Sequence, residues 1–294
     1  MSADPRQAAG DARALDHYVL QVHDVDAAGA SFERLGFQVR PRMTHIEFGT
    51  CNRVVQFRNT YLELLGGLAA APSDIVREYL PRFECGEGLS HISLRSYDLE
   101  ADRRAAAESG LSPGPITSAR REVVMPDDSV EETDSSFFYM WRRQRLYLSL
   151  FLSGHNKPHT IWIPEYQEHP NTAVDTTGVT FVSDDPLEDR DYFSQIYRCA
   201  PTTAGPEMVR LTGHRGDVAE VWSRTRIHER YPGLELDLSD RQPGYPIGLT
   251  VSVRALDRCR AALADHGVAC TVHEGAVLVP PQRAHGAVIE FVSA

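Results

Sequence analysis

Two histidines, His17 and His91, hold the same place in two apolar strands, Leu15-Asp16-His17-Tyr18-Val19-Leu20 and Leu89-Ser90-His91-Ile92-Ser93-Leu94. A glutamate, Glu63, follows in the run Tyr61-Leu62-Glu63-Leu64-Leu65, where alternation sets it on one face with Tyr61 and Leu65. A carboxylate in so apolar a run is costly without a cation or a donor beside it. Two imidazoles and a carboxylate supply the donors that suit zinc, iron(II), manganese or nickel, and they leave positions open for water or substrate. Each residue also has an ordinary role open to it. A strand histidine is often a hydrogen-bonded structural residue, and Glu63 can pair with an arginine such as Arg53. The equal placement of His17 and His91 in duplicated units is what favours a divalent metal.

Those units are repeats. From His17 to Gly36, from His91 to Gly110 and from Gly248 to Gly267 the step is 19 residues, and Gly178 holds the matching place in another copy. Four alternating strands, each followed by a short acidic-capped helix, mean one supersecondary unit copied four times. In the first copy the helix offers Ala27, Ala30, Phe32 and Leu35 as its apolar face and stops at Gly36. Strands follow at Phe37 to Arg40, Arg53 to Phe57 and Tyr61 to Leu65, which makes a β-α-β-β-β unit. A linker from Gly67 to Gly88 holds an amphipathic helix, Ser73 to Phe83. The second copy has a helix from Asp98 to Glu108. Its strands run over Arg120 to Met125, Ser135 to Trp141, Leu146 to Leu152 and Thr160 to Ile163. The break at His169-Pro170-Asn171 divides the chain. The expected organisation is a flexible segment 1–13, an N-terminal domain 14–171 and a C-terminal domain 172–294. The C-terminal copies have helices at Pro186 to Tyr197 and Ala255 to His266. They carry Gly178 and Gly248 where the first half has histidine, and Glu290 lies on their last strand. One carboxylate without its histidines holds a metal poorly, so this half reads as a structural or lid domain.

Composition sets outer limits. The formal net charge of -11 argues against nucleic acid as a partner, since phosphate binding needs clustered Lys and Arg. A hydrophobic fraction of 42% is enough for a substantial core. No run approaches the ~18–20 apolar residues of a membrane span. Residues Met1 to Arg13 lack the apolar centre of a signal peptide. The five cysteines are scattered and without C-x-x-C spacing, which fits reduced thiols and a cytoplasmic location. Phosphate loops, dinucleotide-binding glycine turns and nucleophile elbows are absent. The expected partner is a small molecule, with neither nucleic acid nor membrane, for a monomer or a homodimer.

Certain stretches resemble a known family. They are Leu15-Asp16-His17-Tyr18-Val19, Phe32-Glu33-Arg34-Leu35-Gly36-Phe37, Gly49-Thr50-Cys51-Asn52-Arg53 and Tyr61-Leu62-Glu63-Leu64-Leu65. They resemble the vicinal oxygen chelate superfamily, the glyoxalases and extradiol dioxygenases, and most closely its glyoxalase-like branch. The stretch from Ile161 to Pro170 is similar to that branch's closing strand of the second module. The resemblance implies an α+β fold of four βαβββ modules paired into two curled-sheet domains. It also implies a divalent metal in the cup of a pair, held from first and last strands. Glu165 would then join His17, Glu63 and His91 as a ligand, unless it is a solvent-exposed residue near a turn. His45 matches a histidine of the branch. Asn52 could hold a substrate oxygen through its amide. Tyr139 and Trp141 could line the cup, with core packing the other role for Trp141. Of the histidines near the closing strand (His155, His159, His169), His169 is a candidate acid or base. The implied activity is isomerase or lyase chemistry through a metal-stabilised enolate, with Glu63 or Glu165 moving the proton. An iron(II) dioxygenase is the alternative, weakened because those enzymes keep the metal in the C-terminal pair. A cup that only binds a small molecule is a third.

Overall fold

The computed structural model describes residues 11–70, 73–84, 86–142, 145–238 and 245–294. Strand β1 (Leu15–Gln21) is buried along its whole length, as a strand covered on both faces must be. Asp24 then caps helix α1 (Val25–Arg34), accepting from the backbone N–H of Asp26 and Ala27. Gly36, Gly110 and Gly267, the end points of the 19-residue step, all have positive φ just past a helix. That is the conformation glycine adopts without a Cβ penalty, so the repeat in the sequence is a strand-to-helix-stop interval.

The first module continues with β2 (Met43–Thr44), β3 (Cys51–Gln56) and β4 (Tyr61–Gly66). After helix α2 (Asp74–Glu84), the second module has β5 (Gly88–Arg95), helix α3 (Leu99–Glu108), β6 (Ser112–Pro113), β7 (Thr117–Ala119), β8 (Glu122–Val124), β9 (Val130–Glu132), β10 (Ser135–Arg142) and β11 (Arg145–His155). In each module the first strand runs parallel to the last, β1 on β4 and β5 on β11. The two first strands lie antiparallel at the centre. One curled sheet results, in the order β2-β3-β4-β1-β5-β11-β10-β6, with β7 on the edge of β10 and a separate β8–β9 hairpin.

The second half repeats the scheme. It comprises β12 (Ala173–Ser183), helix α4 (Pro186–Tyr197), β13 (Thr203–Ala204), β14 (Met208–Thr212), β15 (Val218–Ser223), helix α5 (Ile227–Arg230), β16 (Tyr245–Val253), helix α6 (Leu256–Asp265), β17 (Thr271–His273), β18 (Ala276–Val279) and β19 (Val288–Ser293). Its sheet order is β13-β14-β15-β12-β16-β19-β18-β17. The two sheets share one apolar core, in which Leu15, Tyr18 and Ile92 of the first belong with Val179, Leu249 and Val251 of the second. The fold is α+β, two pairs of βαβββ modules. No helix among the described residues is long and apolar enough to cross a membrane.

Two expected strands are absent. Residues 37–40 form no strand. Thr160 to Ile163 is not the closing strand of the second module either; Pro158–Thr160 and Pro164–Tyr166 are short 3-10 turns. Each turn begins on a proline, which has no N–H to give to a ladder. The closing strand is β11, which ends at His155.

Bulges at the central pair decide where the polar side chains go. On β1, Leu15 faces Leu94 and His17 faces Ser93, so Asp16 is an extra, unpaired residue. On β5, Leu89 faces Leu20 and His91 faces Val19, so Ser90 is the matching extra residue. Each bulged residue meets the ring of the histidine that follows. Asp16 Oδ1 is 2.7 Å from His17 Nδ1 and Ser90 Oγ is 2.9 Å from His91 Nδ1.

Candidate active site in the N-terminal cup

Residues facing each other on neighbouring strands share a face of the sheet. His17 faces Tyr61, and Val19 faces both Glu63 and His91. These side chains therefore all leave the concave face. A cavity of about 50 Å³ lies there, walled by His17, His45, Tyr61, Glu63, Arg121 and His155 among polar residues. Val19, Phe48, Phe137 and Phe151 supply its apolar wall, and Ile75 and Val76 of α2 reach across it.

His17 is the most constrained wall residue. Its ring stacks on Tyr61 with centroids 4.3 Å apart and planes 7° from parallel. Asp16 is fully buried, and its Oδ1 also meets His155 Nε2 at 2.9 Å. Arg95 Nε donates to the other oxygen at 2.6 Å. Burial opposes ionisation of Asp16, but Arg95, His155 and the hydrogen bonds outweigh it and hold the carboxyl well below its usual range. An ionised Asp16 fixes the proton of His17 on Nδ1 and leaves Nε2 as the nitrogen with a lone pair. His155 is completed by Ser135 Oγ at 2.8 Å from its Nδ1. Burial pushes its imidazole below the usual value despite Asp16.

Glu63 stands along the same face. Asn52, buried on β3, donates to its Oε1, and His45 Nε2 lies 3.4 Å from that oxygen. Burial again opposes the charge; His45, Arg121, His17 and the Asn52 donor outweigh it, and the Glu63 carboxyl sits below its ordinary range. Burial pushes the His45 imidazole down, and its Nδ1 meets Thr50 Oγ1 at 2.9 Å.

Other sequence-predicted residues fall elsewhere. Glu165 is exposed on the turn Pro164–Tyr166 and is no part of the cavity wall. The register shows what stands in its expected place. Glu63 faces Val19 of β1 in the first module, and the matching residue of β11, opposite Ser93, is Phe151. The Phe151 ring contacts both imidazoles, at 5.1 Å from His17 and 6.4 Å from His91 between centroids. His91 lies against Tyr139, with centroids 5.5 Å apart, and neither residue is in the cavity wall. Asn52 reaches the site only through Glu63. The side chain of Trp141 lies outside the described residues. His169, the candidate acid or base, is a buried staple: Gln38 N–H donates to its Nδ1 at 3.0 Å and its Nε2 meets the Gln56 carbonyl at 2.9 Å. Burial brings its imidazole down to about 4.

The family-implied metal can be tested against these donors. His17, Glu63, His91 and Glu165 do not fit one ion: Glu165 is elsewhere, a phenyl ring takes the fourth position, and the Glu63 oxygen is engaged by Asn52 and His45. Among the described residues the one cluster with metal spacing is Asp16, His17 and His155, whose donor atoms lie within 4.8 Å of one another. Arg95 already neutralises the single carboxylate there, so a divalent ion would add uncompensated charge to a buried site.

The C-terminal cup makes the contrast plain. Gly178 faces Thr250 and Gly248 faces Thr180, the registers that His17 and His91 have in the first half. Glu220 and Glu290 match Glu63 and Phe151. Arg230, at the end of α5, spans both carboxylates: its Nε is 2.9 Å from Glu220 and its Nη1 2.9 Å from Glu290. Tyr231 fills the space over Gly248, where an added Cβ would come within 2.0 Å of its hydroxyl. In the second cup two glycines thus stand where the first has histidines, and a guanidinium engages the carboxylates.

Sequence reasoning missed Asp16 and Arg121 as site residues. Asp16 had a signal, an acid inside an apolar strand beside His17. Arg121 has none, because it arrives through an isolated bridge to His45.

The sequence model of one domain family, described as a glyoxalase-like domain, matches residues 15–196. Among solved structures, a hypothetical protein from Staphylococcus aureus aligns over 95% of this chain and 99% of its own at 11% identity, with a TM-score of 0.67. A 4-hydroxymandelate synthase variant from Streptomyces coelicolor aligns over 95% and 92% at 13% identity, with a TM-score of 0.59. A fusion of a xylose isomerase-like TIM barrel with a 4-hydroxyphenylpyruvate dioxygenase aligns over 96% of this chain and 49% of its own at 14% identity, with a TM-score of 0.57. At such identities the likeness is one of fold. No curated protein matches the chain.

Proposed function

The chain belongs to the glyoxalase-like branch of the vicinal oxygen chelate superfamily, and on that premise we propose that it is an acid–base enzyme acting on a small oxygenated molecule in the N-terminal cup. The observation that carries this reading is the pair formed by His17, oriented by buried Asp16 at 2.7 Å, and the ionised Glu63 on the same sheet face. One group removes a proton from carbon beside a carbonyl and the other returns one to a neighbouring atom, which is isomerase or lyase chemistry. Val19 and Phe151 between and beside them keep water away from the exchanging proton.

Proton exchange tests it without a known substrate. Wild-type protein in D2O, given a panel of hydroxyketones, 2-oxo acids and 2-hydroxy acids, should place deuterium on carbon next to the carbonyl of at least one member, read by NMR. His17→Asn and Glu63→Gln should each slow this by about 10²-fold or more. Absence of exchange over the whole panel, or wild-type rates in both variants, would remove the reading. Ligand stabilisation without exchange would instead support a cup that only binds.

A second reading, a divalent ion on Asp16, His17 and His155, is favoured by their spacing alone. Metal analysis of purified protein decides it: a stoichiometric ion that is lost in His155→Ala supports this reading, and wild type without one ends it.

A further inference from the structure

Arg121 lies just before β8, held by Thr133, whose N–H donates to the Arg121 carbonyl at 2.9 Å and whose Oγ1 accepts from the Arg121 N–H at 3.0 Å. The residue is only 5% exposed, and its side chain forms part of the cavity wall. Its Nε has no hydrogen-bond partner. Among the described residues no carboxylate lies within 4.0 Å of its guanidinium, whereas the buried Arg13 meets Asp102 at 3.0 Å and Arg95 meets Asp16 at 2.6 Å. Glu63 acts on it only at longer range and is itself engaged by Asn52 and His45.

A buried guanidinium with no bonded anion is unfavourable unless something completes it. Its planar fork of donors is shaped for two oxygens of one carboxylate. Arg121 also stands over Tyr61, 5.9 Å from the ring centroid, and Tyr61 carries the stacked His17 ring. A carboxylate on Arg121 thus brings the rest of a short molecule towards His17.

We propose that Arg121 is the carboxylate anchor of this cup, so that the substrates are small carboxylic acids, with the reacting carbon near the acid group. The anchoring is independent of the proton chemistry; only the position of the reacting carbon rests on the acid–base reading above. Tyr61 is the guanidinium's hydrogen-bond partner inside the protein; its anion comes from solution.

Isothermal titration of wild-type protein with pyruvate and lactate, and with pyruvamide and lactamide, tests the proposal. At least one acid should bind, ten-fold or more tightly than its amide. Arg121→Gln should abolish that preference, and Arg121→Lys should keep part of it, with circular dichroism confirming the fold of both. Equal binding of acids and amides, no binding of either acid, or an undiminished preference in Arg121→Gln overturns it. If Arg121→Gln does not fold, the wild-type comparison of acid with amide decides alone. The two readings fail separately. Preferred acids with no deuterium exchange would leave the anchor and remove the acid–base function. Exchange on neutral hydroxyacetone with no preference for acids would do the reverse.

Discussion

Asp16 is one carboxylate with three partners, His17, His155 and Arg95, and no exposure. Asp16→Asn keeps its shape and removes its charge. It removes the carboxylate charge that faces the partly buried Arg95, so the stability loss should be about 3 kcal/mol, measured by urea unfolding. The asparagine oxygen can still accept from His17, but its amide can also turn to donate, so the tautomer is no longer fixed, and the exchange rate should fall by about 10²-fold. The pH dependence has a definite sign. A carboxyl held below its unfolded value of about 3.9 adds stability above that pH and loses it as pH falls through the folded value. Between the two, the unfolded chain binds more protons. The acid limb of stability below pH ~4 should therefore be flatter in Asp16→Asn than in wild type. An equally steep limb in the variant would mean that Asp16 is not the group being protonated.

At the scale of elements, His169 ties residue 38, beyond α1, to the end of β3 through Gln38 and Gln56. Burial puts its folded value at about 4, against about 6.5 unfolded. In that window the unfolded chain again takes up the proton, so stability falls as pH drops from about 6.5 towards 4, by about 3 kcal/mol in all. His169→Gln can accept and donate as the imidazole does but does not titrate. Its stability should lose that slope, which urea midpoints at pH 4.5, 5.5 and 7 would show.

Much of this element framework is legible in the sequence. Period-2 strands, acidic caps and glycine stops are local signals, and they placed β1, α1, β4, β5 and α3. The apolar run Ile161-Trp162-Ile163 misled, because its flanking prolines matter more to a ladder than its hydrophobicity. Alternation also put Glu63 on one face with Tyr61 and Leu65, while its meeting with His17 was implied only by the family resemblance. Alternation could not add Asp16, since a bulge breaks it, nor show Phe151 as the counterpart of Glu63, since that needs the pairing of β5 with β11. Arg121 and His155 reach the cavity from distant segments, and no spacing announces them.

The whole molecule contains two cups with different contents. The first holds ionisable groups around open space. The second has its centre occupied, with Arg230 between Glu220 and Glu290 and Tyr231 above Gly248; a groove of about 510 Å³ opens beside that centre, lined by Trp222, Arg230, His273 and Glu290. Arg230→Met would leave buried Glu290 without its cation and Glu220 with Arg210 alone, at a loss of about 3–5 kcal/mol. Because both sheets share one core, calorimetry should show that loss as a shift of a single transition rather than as a second one. Millimolar zinc or manganese should restore part of the lost stability in Arg230→Met and leave the wild-type transition where it is. Independent melting of the two halves would contradict the shared core.

A guanidinium tethered by its own backbone cannot be chelated, exchanged for a competing ion or left out when the surroundings run short of metal. Every copy of the chain leaves the ribosome already carrying the counter-charge that its second half requires. That half therefore needs no metal to balance its glutamates, and it gives the N-terminal half a support that does not depend on supply.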